Sequence, residues 1–226
     1  MNPALRASAA HVFVESLDTI SLSTDDTHHL LRVLRLREGE PVTASDGHGG
    51  WRPCKVSGDA IVPAGAVVLE PALTQLTIAA AIPKGDRLEW MVQKLTELGV
   101  GEIVLLHCER SVVRWKGERG VQQLARLNRV AREAAMQSRR VWLPNLRGPV
   151  EFAEMAKVPG AVIADPEGTG DAGASVVLIG PEGGLTEGER GMCTAAINLG
   201  PNILRIETAA VAAGAILAHG YIRDRH

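Results

Sequence analysis

Two glycine-containing loops near the end of the chain hold the charged residues with the clearest chemical potential. The first, here called the Gly180 loop, covers residues 180–189 and contains Glu182. The second, here called the Leu199 loop, covers residues 199–205, ends on Arg205 and is followed by Glu207. A carboxylate can accept a proton, and a guanidinium can stabilise negative charge that develops in a transition state. Both kinds of chemistry are therefore available within one short stretch.

The carboxylate in the Gly180 loop restricts the ligand that this loop can hold. A carboxylate beside a phosphate is electrostatically unfavourable, which argues against a polyphosphate ligand. The loop also lacks the Gly-Lys-Ser/Thr ending of a Walker A motif and the Gly-x-Gly-x-x-Gly pattern of dinucleotide-binding loops. A neutral or cationic ligand suits it better, and S-adenosylmethionine has a cationic sulfonium and an adenine that backbone groups can read. The alternative is a tight strand-to-helix turn without a ligand, which the second loop close behind makes less favoured.

The elements around the Gly180 loop predict where it lies in the fold. The apolar run 176–179 stops at Gly180-Pro181, as a buried strand does before a loop. Thr186 and Glu189 have the spacing of a capping box, which predicts the start of a helix. Gly183 and Gly184 are expected to let the backbone approach a ligand and to adopt positive φ. In open α/β sheets, ligands bind at the carboxyl ends of strands.

The middle of the chain alternates strand and helix patterns and predicts an α/β fold. The apolar run 76–82 predicts a buried parallel strand, residues 86–98 an amphipathic helix closed by Gly99, and residues 103–106 the next strand. Residues 118–138 predict a long helix. The final helix, residues 208–219, is rich in small residues, so it should pack closely against either the sheet or a second subunit.

The first 70 residues differ from the rest and predict a small β-rich domain. Short apolar segments alternate there with glycine-rich turns, interrupted by one short helix that Asp25 or Asp26 could cap. A boundary near Glu70-Pro71 therefore predicts two domains, residues 1–70 and 71–226.

Composition excludes several classes of protein. The chain has 226 residues, of which 46% are hydrophobic, and no apolar run reaches the roughly 20 residues of a membrane-spanning helix. The start does not resemble a secretory signal. The three cysteines are far apart without a Cys-x-x-Cys pair, and His28 and His29 are adjacent and point apart on a helix. We therefore expect no metal site, no membrane span and a reduced, cytoplasmic location.

Charge is distributed unevenly along the chain. Residues 71–150 hold thirteen basic and seven acidic side chains, a net of +6, between acidic flanks. This pattern is typical of a surface that binds a polyanion such as RNA, although arginine-rich helices can also be merely solvated.

Several motifs along the chain together carry a family resemblance. They are His28-His29-Leu30, Val33-Leu34-Arg35, Lys84, Gln93-Lys94, Glu97-Leu98-Gly99-Val100, Glu109-Arg110-Ser111, Glu133-Ala134, Gln137-Ser138, Arg140, Gly180-Pro181-Glu182-Gly183-Gly184, Leu199-Gly200, Ile203-Leu204-Arg205 and Glu207-Thr208-Ala209. With them the chain resembles the RsmE family of the SPOUT superfamily, the 16S ribosomal RNA (uracil-N3)-methyltransferases, over nearly its whole length. The sequence departs from the family at Ile206, where threonine is usual.

The resemblance implies a fold, a cofactor and partners. It implies an N-terminal PUA-like RNA-binding domain and a C-terminal α/β domain whose deep trefoil knot binds S-adenosylmethionine. It also implies a homodimer packed through the knot helices, and methylation of N3 of a specific uridine in small-subunit ribosomal RNA, either naked or within the 30S subunit. The cofactor contacts expected from it are Leu178, Gly180, Glu182, Gly183, Leu199, Gly200, Ile203, Leu204 and Thr208.

Methylation of N3 needs a proton acceptor and a cation that stabilises developing charge, and charged residues at the two loops can supply both. Arg205 would stabilise charge on the uracil oxygens, and Glu207 or Glu182 would accept the N3 proton. Alternatively, Arg205 and Glu207 form a structural pair that braces the loop. The candidate phosphate contacts, each of which could instead be a solvated surface charge, are Arg6, Arg32, Arg35, Arg110, Arg114, Arg139 and Arg140.

Two rival functions remain open at this point. One is a non-catalytic RNA-binding or ribosome-assembly factor that keeps the fold. The other is a methyltransferase that acts on another RNA or on a ribose 2′-oxygen. A measurement of cofactor binding distinguishes the first rival from a methyltransferase. Mass spectrometry of modified nucleosides distinguishes the second, because it identifies the methylated position.

Overall fold

Two kinds of β-sheet divide the described part of the chain, which comprises residues 2–71, 76–115, 117–169 and 173–223 of this computed structural model. A mixed sheet lies in a unit formed by Met1–Leu73 and Arg132–Leu143. A parallel sheet lies in a second unit formed by Thr74–Ala131 and Pro144–His226. Residues 132–143 thus pack with the first unit, and the predicted boundary near Glu70 remains a prediction.

The first unit is built on five short strands. Its elements are α1 (Pro3–Ala7), β1 (Ala10–Phe13), α2 (Thr24–His28), which continues as a π-helical turn (His29–Val33), β2 (Pro41–Ser45), β3 (Gly50–Ser57), β4 (Ala60–Pro63) and β5 (Val68–Leu69). β1 pairs parallel with β2, and the other pairs are antiparallel. The predicted cap of the short helix is wrong, because Ser23 accepts the hydrogen bond from the Asp26 amide (3.0 Å). The cap is thus an uncharged hydroxyl two positions before Asp25.

The second unit alternates strands and helices. Its elements are β6 (Thr77–Ala81), α3 (Arg87–Glu97), β7 (Glu102–His107), α4 (Gly117–Gln137), which extends into the first unit, β8 (Asn145–Glu151), α5 (Phe152–Met155), β9 (Ala161–Ala164), β10 (Val176–Ile179), α6 (Glu187–Arg190), β11 (Ala196–Ile197) and α7 (Ile206–Arg223). The strand order is β11-β9-β10-β6-β7-β8, and every pairing is parallel. The α/β prediction is confirmed.

The central strands of this sheet are covered on both faces. Every residue of β6 and β10 is buried, as the uninterrupted apolar runs in the sequence predict. Helix α3 buries Leu88, Met91 and Leu95 along one stripe. The helix closes at Gly99, whose φ of +85° confirms the predicted glycine at its carboxyl end.

Helix α7 packs on the sheet and on α3 within this unit. Its small residues Ala210 and Ala213 are fully buried, and a Cβ added to Gly214 would lie 3.0 Å from Leu95 Cδ2. The small-residue face therefore serves close packing inside the protomer. Thr208 and Ile216 remain exposed on the other side of the helix.

The chain leaves two neighbouring strands in opposite directions. From β6 it proceeds to β7, whereas from β10 it proceeds past β9 to β11. Such a divergence opens a crevice at the carboxyl ends of the strands, where ligands bind in open α/β sheets. No helix in the described part of the chain is long and apolar enough to cross a membrane.

Candidate active site

A cleft of about 520 Å³ lies at the carboxyl ends of β9, β10 and β11. This volume lies within the roughly 300–1,000 Å³ of sites for small molecules and cofactors. Its walls are the segments that follow these three strands and the first turn of α7. The lining residues are Ala164, Asp165, Pro166, Ile179, Gly180, Pro181, Glu182, Gly183, Gly184, Leu185, Arg190, Asn198, Leu199, Gly200, Asn202, Ile203, Leu204, Arg205, Ile206 and Ala209.

Most of the residues expected to contact a cofactor are brought together in this cleft. Those that line it are Gly180, Glu182, Gly183, Leu199, Gly200, Ile203 and Leu204. Two others do not line it, since Leu178 is fully buried inside β10 and Thr208 is exposed on α7. Ile203, a large apolar side chain, is 90% exposed at the cleft, and no residue in the described part of the chain covers it.

The backbone of the Gly180 loop turns sharply at one glycine. Gly184 has a φ of +72°, and its amide donates a hydrogen bond to the Pro181 carbonyl oxygen (2.8 Å). Gly183 does not adopt positive φ, which corrects the expectation for that residue. A Cβ on Gly180 would lie 2.8 Å from Leu185 Cγ, so the lack of a side chain there allows the loop to fold back.

Glu189 holds the end of the Gly180 loop in place. The predicted capping box is confirmed, because Thr186 Oγ1 accepts from the Glu189 amide (3.2 Å) and Glu189 Oε2 accepts from the Thr186 amide (2.9 Å). The other oxygen of Glu189 accepts from the Glu109 amide (2.8 Å), in the turn after β7. A buried carboxylate with these donors fixes the Gly180 loop against a neighbouring connection.

Cys108 lies near the Glu189 carboxylate and has an unreactive thiol. Its side chain is buried, and its amide donates to Ser111 Oγ (2.9 Å). Burial, helped by the nearby Glu189 carboxylate, raises the pKa of the Cys108 thiol to about 12. At neutral pH the thiol stays protonated, so Cys108 is unsuited to act as a nucleophile.

The Leu199 loop is shaped by an asparagine that the sequence did not single out. Asn198 Oδ1 accepts from the Gly200 amide (2.7 Å), and Asn198 Nδ2 donates to the Pro166 carbonyl oxygen (2.7 Å). Gly200 has a φ of +154°. One side chain thereby links the segment after β9 with the segment after β11 on the cleft wall.

Two further residues at the cleft were also missed from the sequence. Asp165 is buried and forms an ion pair with Arg190, in addition to accepting from the Glu167 amide (2.9 Å). Both side chains line the cleft, although 25 positions separate them in the chain. Only the parallel arrangement of β9 and β10 brings them together, so spacing along the chain carried no signal.

The charged groups proposed for catalysis are arranged differently from the predicted pair. Glu207 lies at ion-pair distance from Arg87, with 3.5 Å between Glu207 Oε1 and Arg87 Nη1. The same Arg87 atom lies 3.5 Å from Glu182 Oε1. Arg205 is exposed and lines the cleft, and within the described residues it forms no ion pair. The alternative in which Arg205 braces Glu207 is therefore wrong, because Arg87 occupies that role.

The candidate phosphate contacts divide into exposed and internal arginines. Arg6, Arg32 and Arg35 have exposed side chains. Arg110 and Arg114 are exposed but donate to backbone carbonyls, Arg110 to Gly183 (3.1 Å) and Arg114 to Cys108 (2.7 Å).

The last two candidates, Arg139 and Arg140, are held by contacts within the first unit. The Arg139 side chain donates to the carbonyl oxygens of Ser8 and Ala9 (both 3.1 Å). The Arg139 backbone has a φ of +58°. Arg140 is 8% exposed, and burial lowers its pKa to about 10. A phosphate contact needs a reachable guanidinium, so we leave both Arg139, whose guanidinium is used in the bonds to Ser8 and Ala9, and Arg140 out of the candidate RNA contacts.

No group of three or more His, Cys, Asp or Glu side chains within the described ranges could hold a metal ion. The polar groups around the cleft are two carboxylates, two guanidiniums, two side-chain amides and loop backbone. This set suits an organic ligand that carries both apolar surface and positive charge.

Two family models match this chain. Residues 70–218 match the RNA methyltransferase domain, and residues 22–60 match the RNA methyltransferase PUA domain. The first match contains the whole cleft described above.

Known proteins resemble the chain over most of its length. Ribosomal RNA small subunit methyltransferase E of Bacillus subtilis (strain 168) is 30% identical, over 87% of this chain and 88% of that protein. The protein of the same name from Mycobacterium bovis is 31% identical over 85% and 83%, respectively. The crystal structure of the Neisseria gonorrhoeae protein of that name, bound to S-adenosyl methionine, superposes with a TM-score of 0.76 at 27% identity, covering 94% of this chain and 98% of that one.

Proposed function

The chain belongs to the RsmE family of RNA methyltransferases, and from this premise we propose that it methylates N3 of a specific uridine in 16S ribosomal RNA with S-adenosylmethionine as the methyl donor. The observation that carries the proposal is the cleft at the ends of β9, β10 and β11, which gathers the Gly180 and Leu199 loops. The PUA-like unit would supply part of the RNA-binding surface.

The residues of the cleft fit S-adenosylmethionine. Leu199, Ile203 and Leu204 offer apolar surface to an adenosyl group, and the loop backbone offers donors and acceptors. Glu182 and Asp165 supply negative charge for the ligand's cationic groups. When bound, the cofactor supplies a methyl group on a positively charged sulfur, which a nucleophile can attack.

Methylation at N3 requires a proton to leave that nitrogen. Arg205, exposed on the cleft and without an ion pair in the described structure, can place its guanidinium near the uracil oxygens and stabilise the charge that develops on them. Glu182 lies on the cleft and is the better placed of the two candidate carboxylates to accept the proton. Glu207 is buried beside the cleft, so we assign it to the support of Glu182 through Arg87.

Phosphate groups of the RNA would contact exposed arginines in each unit. Arg6, Arg32 and Arg35 remain our candidates for phosphate contacts in the first unit, and Arg110 and Arg114 in the second. Because the cofactor sits within a cleft, the target uridine must leave its stack to be methylated.

We also propose a deep trefoil knot and a homodimer, as the family resemblance implies. The knot would be formed by the Gly180 and Leu199 loops, and the dimer would pack through the exposed side of α7. Since the small-residue face of α7 is already used inside the protomer, Ile216 (44% exposed) is our candidate for the interface. Light scattering should give a dimer for the wild type and a monomer for Ile216→Glu; a monomeric wild type would contradict the proposal.

The function is tested on small ribosomal subunits from cells that lack the endogenous enzyme. Incubation with the protein and S-adenosylmethionine, followed by digestion and mass spectrometry of nucleosides, should yield 3-methyluridine. Subunits from wild-type cells should yield no additional product. A 2′-O-methylated nucleoside, or no product despite measured cofactor binding, would exclude this function and favour one of the two rivals.

A further inference from the structure

We infer that Arg87 is a positioning residue that joins the Gly180 loop to the start of α7 and thereby sets the shape of the cleft before any ligand binds. The inference rests on the proposed function, because it concerns the site where that function places the methyl donor. Arg87 does not line the cleft itself, and no sequence motif pointed to it.

One guanidinium spans three segments of the second unit. Arg87 is the first residue of α3, and its Nε donates to the Lys84 carbonyl oxygen (3.1 Å) in the connection after β6. Its Nη1 lies 3.5 Å from an oxygen of Glu182 in the Gly180 loop and 3.5 Å from an oxygen of Glu207 in α7. These connections meet where the chain leaves β6 and β10 in opposite directions.

The two ion pairs differ in burial and therefore in strength. The Glu207 side chain is only 7% exposed, so Arg87 provides its necessary counter-charge. The Glu182 side chain is 41% exposed, and solvent screens its attraction to Arg87. Arg87 is thus anchored on Glu207 and holds Glu182 more weakly.

Glu207 has one oxygen left for another partner. Its Oε2 is buried and has no hydrogen-bond partner within the described residues. The carboxylate is therefore held by Arg87 without the usual set of donors, which makes Arg87 the main restraint on the charged end of Glu207.

The opposite side of the Gly180 loop is held by a different contact. Arg110 Nη1 donates to the Gly183 carbonyl oxygen (3.1 Å). The loop is therefore restrained from two neighbouring strand-to-helix connections, through Glu182 on one side and Gly183 on the other. Loss of Arg87 should free the Glu182 side and leave the Gly183 side in place.

The test compares Arg87→Met, Arg87→Lys and a control. Methionine keeps an apolar stem and removes the charge, whereas lysine restores the charge without the planar fork. The control is Arg126→Met, which removes another ion pair to α3, between Arg126 and Glu89 (2.6 Å), away from the cleft. Hydrogen exchange of the cofactor-free protein and calorimetric titration with S-adenosylmethionine are the two measurements.

Arg87→Met should accelerate exchange of the Gly184 amide about two- to fivefold and weaken cofactor affinity by a similar factor, since a partly screened ion pair contributes on this scale. Amides of β6 and β10 should keep their wild-type exchange. Arg87→Lys should recover part of both losses, and Arg126→Met should change neither. Equal acceleration across loop and core strands would show general destabilisation and overturn the inference, as would wild-type exchange in the loop.

A double variant tests the anchoring by Glu207. If Arg87 restrains the Gly180 loop only while it is anchored on Glu207, the double variant Arg87→Met/Glu207→Gln should lose no more loop protection than Arg87→Met alone. Additive losses would contradict this anchoring. If the wild type binds no S-adenosylmethionine, the proposed function fails, while exchange in the cofactor-free protein still decides the role of Arg87.

Discussion

Replacement of Arg205 by alanine separates catalysis from structural support. The side chain is exposed and lines the cleft, and in the described structure it makes no ion pair. Glu207, its predicted structural partner, is held by Arg87 instead. The loss of Arg205 should therefore leave the folded protein and its cofactor pocket largely unchanged.

The two expected magnitudes are far apart. An exposed substitution without lost partners changes the free energy of unfolding by no more than about 0.5 kcal/mol, or about 2 °C in Tm for a chain of this size. Removal of one group that stabilises charge only in the transition state lowers the rate about 100- to 1,000-fold. Cofactor affinity should stay close to the wild-type value, because the interaction forms only during the reaction.

The assay is single-turnover methylation of small ribosomal subunits, with cofactor affinity and Tm measured on the same preparation. Arg129→Ala is the matched control, because it also removes an exposed arginine of the second unit that makes no ion pair in the described structure, and it lies outside the cleft. Near-normal turnover in Arg205→Ala would remove Arg205 from the catalytic residues. Parallel loss of turnover, affinity and Tm would show that the side chain supports the structure after all.

Three other predictions follow from the described contacts. Gly168→Ala places a Cβ 2.5 Å from the Ile197 carbonyl carbon, so calorimetry should show weakened cofactor binding, whereas Gly188→Ala should not. Burial, with a contribution from Arg139, lowers the pKa of His11 from 6.5 to about 4. Between pH 6.5 and pH 4, His11 is therefore protonated in the unfolded chain but neutral in the folded protein. The free energy of unfolding should thus fall by up to about 3 kcal/mol from pH 6.5 to 4, and denaturant titrations of His11→Gln should show a smaller fall. RNA affinity should decrease steeply with salt if arginine–phosphate contacts dominate, and a flat salt dependence would count against them.

The sequence predicted those parts of the fold that have strong local patterns. The fully apolar runs predicted β6 and β10, the amphipathic pattern predicted α3, and Thr186 with Glu189 predicted the start of α6. By contrast, β3 was missed because Pro53 and two charged residues interrupt its apolar positions, although it is the central strand of its sheet. Strands β8 and β11 were missed as well, since one is mixed in polarity and the other spans only Ala196–Ile197.

The candidate site could be predicted only in outline. The glycine-rich loops located the cleft, because backbone freedom and chain reversal leave a local signature. The roles of Asp165, Asn198 and Arg87 could not be read, because their partners are separated in sequence and meet only through the parallel sheet. The same reason made Arg205 and Glu207, two positions apart, a misleading pair.

The central claim is that the cleft between the Gly180 and Leu199 loops is the methyl-donor site. A structure determined from crystals of this protein grown with S-adenosylmethionine tests this claim most directly. We predict density for the adenosyl group against Leu199, Ile203 and Leu204, with the sulfonium on the side of Glu182 and Arg205. Density for the cofactor at another place on the protein, or a saturated solution that leaves this cleft empty, would contradict the account.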